Sequence, residues 1–137
     1  MDDAIAAQVR SIFDKANFLQ HLGIQLTGTG EGACETTLTV EDRHLQQHGF
    51  VHAGVIATMA DHTVGGAARA ASGERDVITI EFKINFLRPA SARKLICRGK
   101  VLRAGKTVIV AESEVFAIND SESKLIAKLT ETLAVLD

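Results

Sequence analysis

The sequence predicts an α+β fold in which one curved antiparallel sheet wraps around a buried helix. A helical stretch near the middle of the chain is apolar on nearly every face, which is typical of a helix surrounded by protein. Strand-like segments with alternating polarity follow it and are separated by short turns, which suits antiparallel neighbours. An amphipathic segment at the start adds a further helix. We therefore expect a single domain over residues 1–137.

The first part of the chain contains a helix and two strands. The helix is predicted over about residues 3–17, because apolar residues recur at spacings of three and four and Asp2 or Asp3 can cap it. Two strands follow at Gly23–Thr29 and Cys34–Val40, joined by a glycine-rich turn. A polar connection then leads to the central helix.

The central helix is predicted over about residues 54–71 and contains one carboxylate. Its apolar residues lie on all sides: Val55, Ile56, Met59, Ala60, Val64, Ala67 and Ala68. The carboxylate is Asp61. Burying an unpaired carboxylate is costly, and folds usually tolerate that cost where chemistry needs the group. Asp61 is therefore the candidate centre of an active site.

Four strands are predicted in the rest of the chain, at Val77–Leu87, Lys94–Arg103, Thr107–Ile118 and Leu125–Leu136. We expect them to form an antiparallel meander. The first alternates strictly, with Ile78, Ile80, Phe82, Ile84 and Phe86 on one face and Thr79, Glu81, Lys83 and Asn85 on the other. The last alternates too, with Leu125, Ala127, Leu129, Glu131, Leu133 and Val135 on one face. One curved sheet cannot cover the whole helix, so a homodimer is plausible.

Composition excludes several classes of function. The net charge is −2, the basic residues are scattered, and there is no Trp or Tyr, which argues against a nucleic-acid-binding surface. No apolar run approaches the roughly 20 residues that span a bilayer, and the acidic start does not resemble a signal peptide. Cys34 and Cys97 form no CxxC pair, so we expect buried free thiols and a cytoplasmic protein with no membrane partner.

Short motifs occur in a fixed order around the central helix. They are Gln46-Gln47-His48-Gly49-Phe50-Val51-His52-Ala53-Gly54, then Asp61, then Phe86-Leu87-Arg88-Pro89-Ala90, and then Gly105-Lys106. In these motifs, and in the order of its elements, the chain resembles the hotdog-fold acyl-CoA thioesterases of the PaaI and 4-hydroxybenzoyl-CoA types. The resemblance implies hydrolysis of aryl or medium-chain acyl-CoA thioesters to the free acid and CoA. CoA is then part of the substrate, and neither a separate cofactor nor a metal is expected.

The resemblance also implies a role for individual residues. Asp61 matches the catalytic carboxylate, and Ala53 matches the residue whose backbone N–H polarises the thioester carbonyl. Gln46 matches an Asn or Gln beside the carboxylate and the attacking water, and His52 matches the histidine of the turn. Thr79 matches a Ser or Thr that reaches the site from the neighbouring subunit.

Two basic residues complete this implied site. Arg88 and Lys106 fall near positions where relatives bind the nucleotide or phosphates of CoA. The site is expected at the interface of a homodimer, with two dimers assembling into a tetramer. The chain departs from the family at Ala53, because the usual motif is His-Gly-Gly. Alanine supplies the same N–H provided that its φ is negative.

The proposed chemistry needs a group that activates water or attacks directly, and donors for the developing oxyanion. The free N–H groups of Ala53 and Gly54, in the first turn of the helix, can supply those donors. Asp61 can act as general base on water or as nucleophile through a mixed anhydride, and the sequence does not separate the two.

Other interpretations of these residues remain open. Asp61 is also compatible with a structural network, Gln46 with a surface amide, Thr79 with an ordinary strand residue, and Arg88 and Lys106 with solvated side chains. A hydratase or dehydratase of acyl thioesters on the same fold, or a non-catalytic acyl-CoA-binding module, are alternative functions.

The histidines have their own alternatives. His44, His48 and His52 recur every four residues, but the segment contains Gly49 and is predicted to be a loop, which removes the common face that a metal site needs. We expect His44 to be solvated and His62 to pack on the helix or contact a second subunit.

Overall fold

A long helix lies against one face of a curved six-stranded antiparallel sheet, and the predicted fold class is confirmed. The computed structural model describes residues 2–137. Its elements are α1 (Asp3–Lys15), α2 (Asn17–Leu22), β1 (Gln25–Gly30), β2 (Ala33–Thr39), α3 (Ala53–Ala71), β3 (Val77–Phe86), β4 (Lys94–Ala104), β5 (Val108–Asn119) and β6 (Glu122–Val135). A 3-10 turn at Asp42–His44 lies between β2 and α3.

The N-terminal segment forms two helices where the sequence predicted one. The Asp2 carboxylate caps α1 by accepting a hydrogen bond from the Ala4 N–H at 2.7 Å. The helix ends at Lys15, and the short helix α2 then runs to Gly23, whose φ of 82° closes it in the left-handed conformation. The buried face of α1 packs Phe13 against α3.

The central helix α3 is packed closely enough that small residues are required along it. A Cβ on Gly66 would lie 2.7 Å from the Cys34 Sγ and 3.0 Å from the Phe13 ring. The buried hydroxyl of Thr63 bonds to Thr36 of β2 at 2.7 Å, which joins the helix to the sheet. Since α3 contacts β2, β4, β5 and α1, most of its surface is buried, as the sequence predicted.

The strand order is β1-β2-β4-β5-β6-β3. The predicted meander is confirmed for β4, β5 and β6, but it is wrong for β3, which pairs with β6 and not with β4. The connection over residues 87–93 is longer than a hairpin turn and contains Pro89, so the chain is free to cross to β4, next to β2. The strand β3 is therefore left at the edge of the sheet.

A register shift between Thr79 and Glu81 breaks the strict alternation that was predicted for β3. Thr79 lies opposite Leu133 and Phe82 lies opposite Glu131, and both of these β6 residues are buried on the face towards α3. Because directly opposite residues share a face, Thr79 and Phe82 are on the same side of the sheet. Ile80 is the extra residue of this bulge.

The edge strand β3 is exposed along nearly its whole length. Ile78 and Ile80 are 57% and 56% exposed, and Phe82, Phe86 and Leu87 are also exposed. In contrast, Cys34 and Cys97 are buried free thiols, as predicted, and burial raises their pKa to about 12 and about 11. Within residues 2–137, no helix is both long enough and apolar enough to cross a lipid bilayer.

Candidate active site

Asp61 lies on the partly exposed side of α3, beside a cavity of about 310 Å³. The cavity is lined by Ile12, Asp61, His62, Gly65, Arg69, Asp76, Val77, Ile78, Thr79 and Leu133. Gly65, one turn after Asp61, leaves open space because a Cβ there would contact nothing within 4 Å. Within residues 2–137, Asp61 forms no salt bridge with a basic residue. The carboxylate therefore faces a cavity and is not held by a cation.

Thr79 is the hydrogen-bond partner of Asp61. Its Oγ1 lies 3.1 Å from Oδ1 of Asp61 and 3.0 Å from Oε2 of Glu131. Thr79 was expected to reach the site from the neighbouring subunit, and the structure shows that it bonds to the Asp61 of its own chain. The bulge at Ile80 explains the contact, since it turns Thr79 to the face of β3 that looks towards α3.

Glu131 is a second carboxyl group at this site, and it is not among the residues predicted from the sequence. It is completely buried. Burial, followed by a hydrogen bond with Asp61 and the charge of Asp61, raises the pKa of Glu131 to about 9, and the hydrogen bond from Thr79 opposes this rise. The available signal was its place between Leu129 and Leu133 in the inward-facing alternation of the last strand.

His52 caps the start of α3. Its Nδ1 accepts a hydrogen bond from the Gly54 N–H at 2.8 Å, and its carbonyl accepts from the N–H groups of Val55 and Ile56. The N–H of Gly54 is therefore already used, which corrects the expectation that Ala53 and Gly54 both serve as oxyanion donors. Only the N–H of Ala53 has no acceptor among residues 2–137 in this turn.

Ala53 adopts an ordinary helical conformation. Glu74 and Asp120 are the non-glycine residues with positive φ in residues 2–137, so Ala53 carries no strain of that kind. Alanine in place of the glycine of the family motif therefore supplies the same N–H at the helix start, where the helix dipole also favours negative charge.

Gln46 lies beside Ala53 and not beside Asp61. Its Oε1 accepts hydrogen bonds from the N–H groups of His48 at 2.5 Å and Phe50 at 3.3 Å, which closes the loop ahead of α3. Together with His52 and Ala53 it lines a second, largely apolar cleft of about 540 Å³. Gln46 was expected next to the Asp61 carboxylate, but within one chain the two residues line different cavities.

The predicted site residues thus form two groups in a single chain. Ala53 and Asp61 are eight residues apart on one helix, which corresponds to about 12 Å along its axis. The two cavities also contact opposite ends of β3, one at Val77–Thr79 and the other at Phe86. One thioester cannot contact both groups of the same chain, because reacting atoms must approach to about 3–3.5 Å.

The two basic residues are separated in the same way. Arg88 lines the cleft at Ala53 and donates a hydrogen bond to the Leu125 carbonyl at 2.7 Å. Lys106 is exposed in the turn between β4 and β5, where its carbonyl accepts from Arg75 at 3.2 Å. These positions lie at opposite ends of the sheet, since β5 runs from the Lys106 end to the end that Arg88 approaches.

The remaining histidines have structural contacts. His44 is completely buried, which corrects the expectation of a solvated residue: its Nδ1 accepts from the Glu41 N–H and its Nε2 lies 2.7 Å from the Leu22 carbonyl. His62 packs edge-on against Phe13, and burial lowers its pKa. In residues 2–137, no three His, Cys, Asp or Glu side chains are grouped so that they could hold a metal ion.

Comparison with known proteins shows what this chain is similar to. Residues 48–124 match the Thioesterase superfamily. A thioesterase family protein of Silicibacter pomeroyi has a crystal structure that superposes with a TM-score of 0.93 at 35% identity, covering 96% of this chain and 98% of that one. The PaaI protein of E. coli has the same fold, with a TM-score of 0.88 at 22% identity over 97% of this chain and 94% of its own.

Curated relatives are similar along nearly their full length. A Saccharolobus solfataricus protein that carries the name of an esterase is 35% identical over 93% of this chain and 89% of its own. The 1,4-dihydroxy-2-naphthoyl-CoA hydrolase of Listeria monocytogenes is 27% identical over 83% of this chain and 91% of its own. Human acyl-coenzyme A thioesterase 13 is 25% identical over 93% and 91%.

Proposed function

Because this chain belongs to the thioesterase superfamily and is a thioester hydrolase, we propose that it hydrolyses acyl-CoA thioesters at a site shared by two copies of the chain. The observation that carries the proposal is the separation of the two groups of site residues. One protomer would supply Ala53 and Gln46, and Asp61 and Thr79 would come from the partner subunit. Relatives named for the hydrolysis of acyl-CoA compounds support this class of substrate.

The exposed edge of β3 supports a dimer that joins the two groups. An edge strand with exposed isoleucines is a ready template for pairing with another chain. If two copies of β3 pair antiparallel about a two-fold axis, the Thr79 end of one strand lies across from the Phe86 end of the other. The cavity at Asp61 then meets the cleft at Ala53 of the second copy. The same pairing brings Lys106 of one copy towards Arg88 of the other. The two residues must lie near each other if both are to bind the phosphates of one CoA molecule.

The reaction follows from this arrangement. Asp61 acts either as general base, taking a proton from a water molecule whose oxygen attacks the thioester carbonyl, or as nucleophile, attacking that carbonyl itself. The developing oxyanion accepts a hydrogen bond from the Ala53 N–H at the positive end of α3, with the Gln46 amide beside it. In the general-base route, collapse of the tetrahedral intermediate breaks the C–S bond and releases the CoA thiolate and the carboxylic acid. In the nucleophilic route, the same bond breaks and the thiolate leaves, but the acyl group stays on Asp61 as a mixed anhydride, which water then opens to the carboxylic acid and the Asp61 carboxyl group.

The cleft beside Ala53 suits an apolar acyl group. Phe50, Ile56, Phe86 and Leu87 line it, and its volume of about 540 Å³ fits an aromatic or medium-length aliphatic acyl chain. A panel of aryl-CoA and alkyl-CoA thioesters, followed by release of free thiol with a thiol dye, tests this proposal. We expect turnover of at least one class, and a fall of about 10²-fold to 10⁴-fold in the Asp61→Asn variant with substrate binding retained. Near-wild-type rates in Asp61→Asn would contradict it.

Mixed dimers test whether the site is shared. A dimer of one Gln46→Ala chain and one Asp61→Asn chain carries one intact site. If each variant alone has a low rate, unfolding and refolding the two together should restore about a quarter of the wild-type rate. The matched control mixes Asp61→Asn with Thr79→Val. These two residues lie in the same half of the site, so no intact site forms, and the mixture should not exceed the residual activity of the Thr79→Val protein. Recovery in the control, or none in the test mixture, would contradict the assignment of halves.

A further inference from the structure

Glu131 brings a second carboxyl group into the neighbourhood of Asp61. It is completely buried, whereas Asp61 is partly exposed and lines a cavity. Thr79 stands between them, with its Oγ1 3.1 Å from the Asp61 carboxylate and 3.0 Å from that of Glu131. The three groups come from α3, β3 and β6, so the contact depends on the tertiary fold and on the bulge that turns Thr79 inward.

If Asp61 and Glu131 were both ionised, these three side chains would share a single hydrogen-bonding proton, that of the Thr79 hydroxyl. The arrangement needs one proton more. The Thr79 hydroxyl has one proton, so it can donate to Asp61 or to Glu131 but not to both. Oε1 of Glu131 accepts a hydrogen bond from no donor within residues 2–137. Two neighbouring carboxylates with a single donor between them would repel each other, and one of them would be fully buried. A proton on Glu131 removes the repulsion and gives this group a donor of its own.

We propose that Glu131 is a positioning residue. Asp61 and Glu131 together hold one proton, which Glu131 carries. As a neutral acid it donates a hydrogen bond within the Asp61–Thr79 pair, and this fixes the Asp61 carboxylate towards its cavity. The proposal rests on the proposed thioester hydrolysis, in which Asp61 is the reacting group. The asymmetry of burial decides which member keeps the proton, because the charge is less costly on Asp61, at the cavity, than on Glu131, inside the sheet.

The surroundings of Glu131 favour the neutral acid from each side. The charged group that faces it is Asp61 on α3, and the charge of Glu81, which bonds to Thr132 on the other side of the sheet, also raises its pKa; both groups are acidic. Directly opposite Glu131 in the sheet are Ala111 on β5 and Phe82 on β3, and neither side chain is charged. Burial is the largest cause of its raised pKa, and the hydrogen bond and charge of Asp61 add to it. No basic side chain within residues 2–137 forms a salt bridge with Glu131.

The role of the proton predicts a particular dependence of hydrolysis on pH. When Glu131 loses its proton, the pair gains a second negative charge, Asp61 loses its donor, and kcat should fall above a pH of about 9. The Glu131→Gln variant keeps a donor of similar shape but cannot ionise. It should retain kcat within a few-fold at pH 7 and should lack the fall at alkaline pH. Glu131→Leu has no donor and should lose kcat at every pH with little change in KM.

The test combines kinetics with infrared difference spectroscopy. At pH 7 the wild-type protein should show the C=O stretch of a protonated carboxylic acid, and Glu131→Gln should lack it. Glu114→Gln, on the opposite face of the sheet, is the matched control, and it should keep both the band and the alkaline fall in kcat.

Each result bears on a separate part of the proposal. Absence of the band in the wild-type protein would overturn the shared proton. An unchanged alkaline fall in Glu131→Gln, or full activity in Glu131→Leu, would overturn the positioning role. No hydrolysis of any acyl-CoA by the wild-type protein, with the band present, would overturn the proposed function and with it the positioning role, but it would leave the protonated pair standing.

Discussion

His52 and Gly54 fix each other at the start of α3. The ring Nδ1 of His52 accepts the N–H of Gly54 at 2.8 Å, so the imidazole satisfies one of the donors that a helix start leaves free. A Cβ on residue 54 would lie only 3.0 Å from that nitrogen, which explains why glycine occupies this position. Since Nδ1 accepts this N–H, His52 serves as the N-cap of α3.

Removing this cap should weaken the fold and disturb the neighbouring Ala53 N–H. We expect His52→Ala to lower the free energy of unfolding by about 1 kcal/mol, measured by urea denaturation, and also to lower kcat. His52→Asn is the matched variant, because asparagine is a good N-cap residue and should keep most of the stability. Equal stability of the alanine variant and the wild-type protein would contradict a capping role.

Thr79 should matter through its hydroxyl and not through its shape. Thr79→Val keeps the branched side chain but removes the hydroxyl that bonds to Asp61, and we expect kcat for acyl-CoA hydrolysis to fall about tenfold to a hundredfold. Thr79→Ser restores the hydroxyl and should recover most of the rate. If the valine and serine variants hydrolyse at the same rate, the hydrogen bond to Asp61 has no part in the reaction.

The sequence predicted the elements well because their periodicities are strong. The apolar surround of α3, the alternation of β6 from Ala127 onward and the cap at Asp2 each depend on local patterns, and the structure agrees with them. The alternation predicted for the start of β6 is wrong, because Ile126 is an extra residue opposite β5 and puts Leu125 on the other face from Ala127. It did not predict the place of β3 in the sheet, because strand order depends on which neighbours a long connection can reach. The bulge at Ile80 was also missed, since one extra residue in a ladder leaves no mark in an alternating sequence.

The candidate site was predicted only in part, because local patterns reveal single residues and tertiary contacts decide their partners. Asp61 was selected because a lone carboxylate in an apolar helix is conspicuous, but its partners depend on tertiary contacts. Glu131 was overlooked although it interrupts the inward-facing leucines of β6, and Gln46 was placed beside Asp61 although the two lie apart within one chain. Spacing along a chain does not reveal which residues a fold brings together.

Two adjacent glycines of α3 should respond in opposite ways to the same substitution. In Gly66→Ala the new Cβ would lie 2.7 Å from the Cys34 Sγ and 3.0 Å from the Phe13 ring, so we expect a loss of about 1–3 kcal/mol in the free energy of unfolding. In Gly65→Ala the methyl group meets nothing within 4 Å, and better helix propensity should add up to about 1 kcal/mol. Urea denaturation of both variants measures the difference, and a loss of equal size in the two would contradict the packing at Gly66.

The free edge of β3 should control association between chains. Ile80→Lys places a charge on an exposed edge residue that lines neither cavity, and we expect it to shift the protein from dimer to monomer in sedimentation equilibrium and to reduce hydrolysis with it. Leu102→Lys is the matched control, because Leu102 is 52% exposed and is also the extra residue at a register shift, but on β4 inside the sheet. If both variants remain dimeric, β3 does not form the interface.

The buried acid at Glu131 should make stability depend on pH in a direction that can be worked out. Its pKa is about 9 in the folded chain, against an ordinary value of 4.5, so between these values the folded state holds a proton that the unfolded state has released. The unfolded state therefore binds fewer protons, and the free energy of unfolding falls as pH rises through this window, by up to about 1.4 kcal/mol per pH unit. Below pH 4.5 both states are protonated and the effect disappears.

Glu131→Gln isolates this contribution, because glutamine fills the same space and does not titrate. At a fixed protein concentration, the variant should gain stability relative to the wild-type protein as pH is raised from about 5 towards 9, with no gain below pH 4.5. Urea denaturation of both proteins across this range gives the difference directly. A constant difference between them from pH 5 to pH 9 would mean that Glu131 ionises normally in the folded chain, and the pair with Asp61 would then carry two charges with only the Thr79 hydroxyl between them.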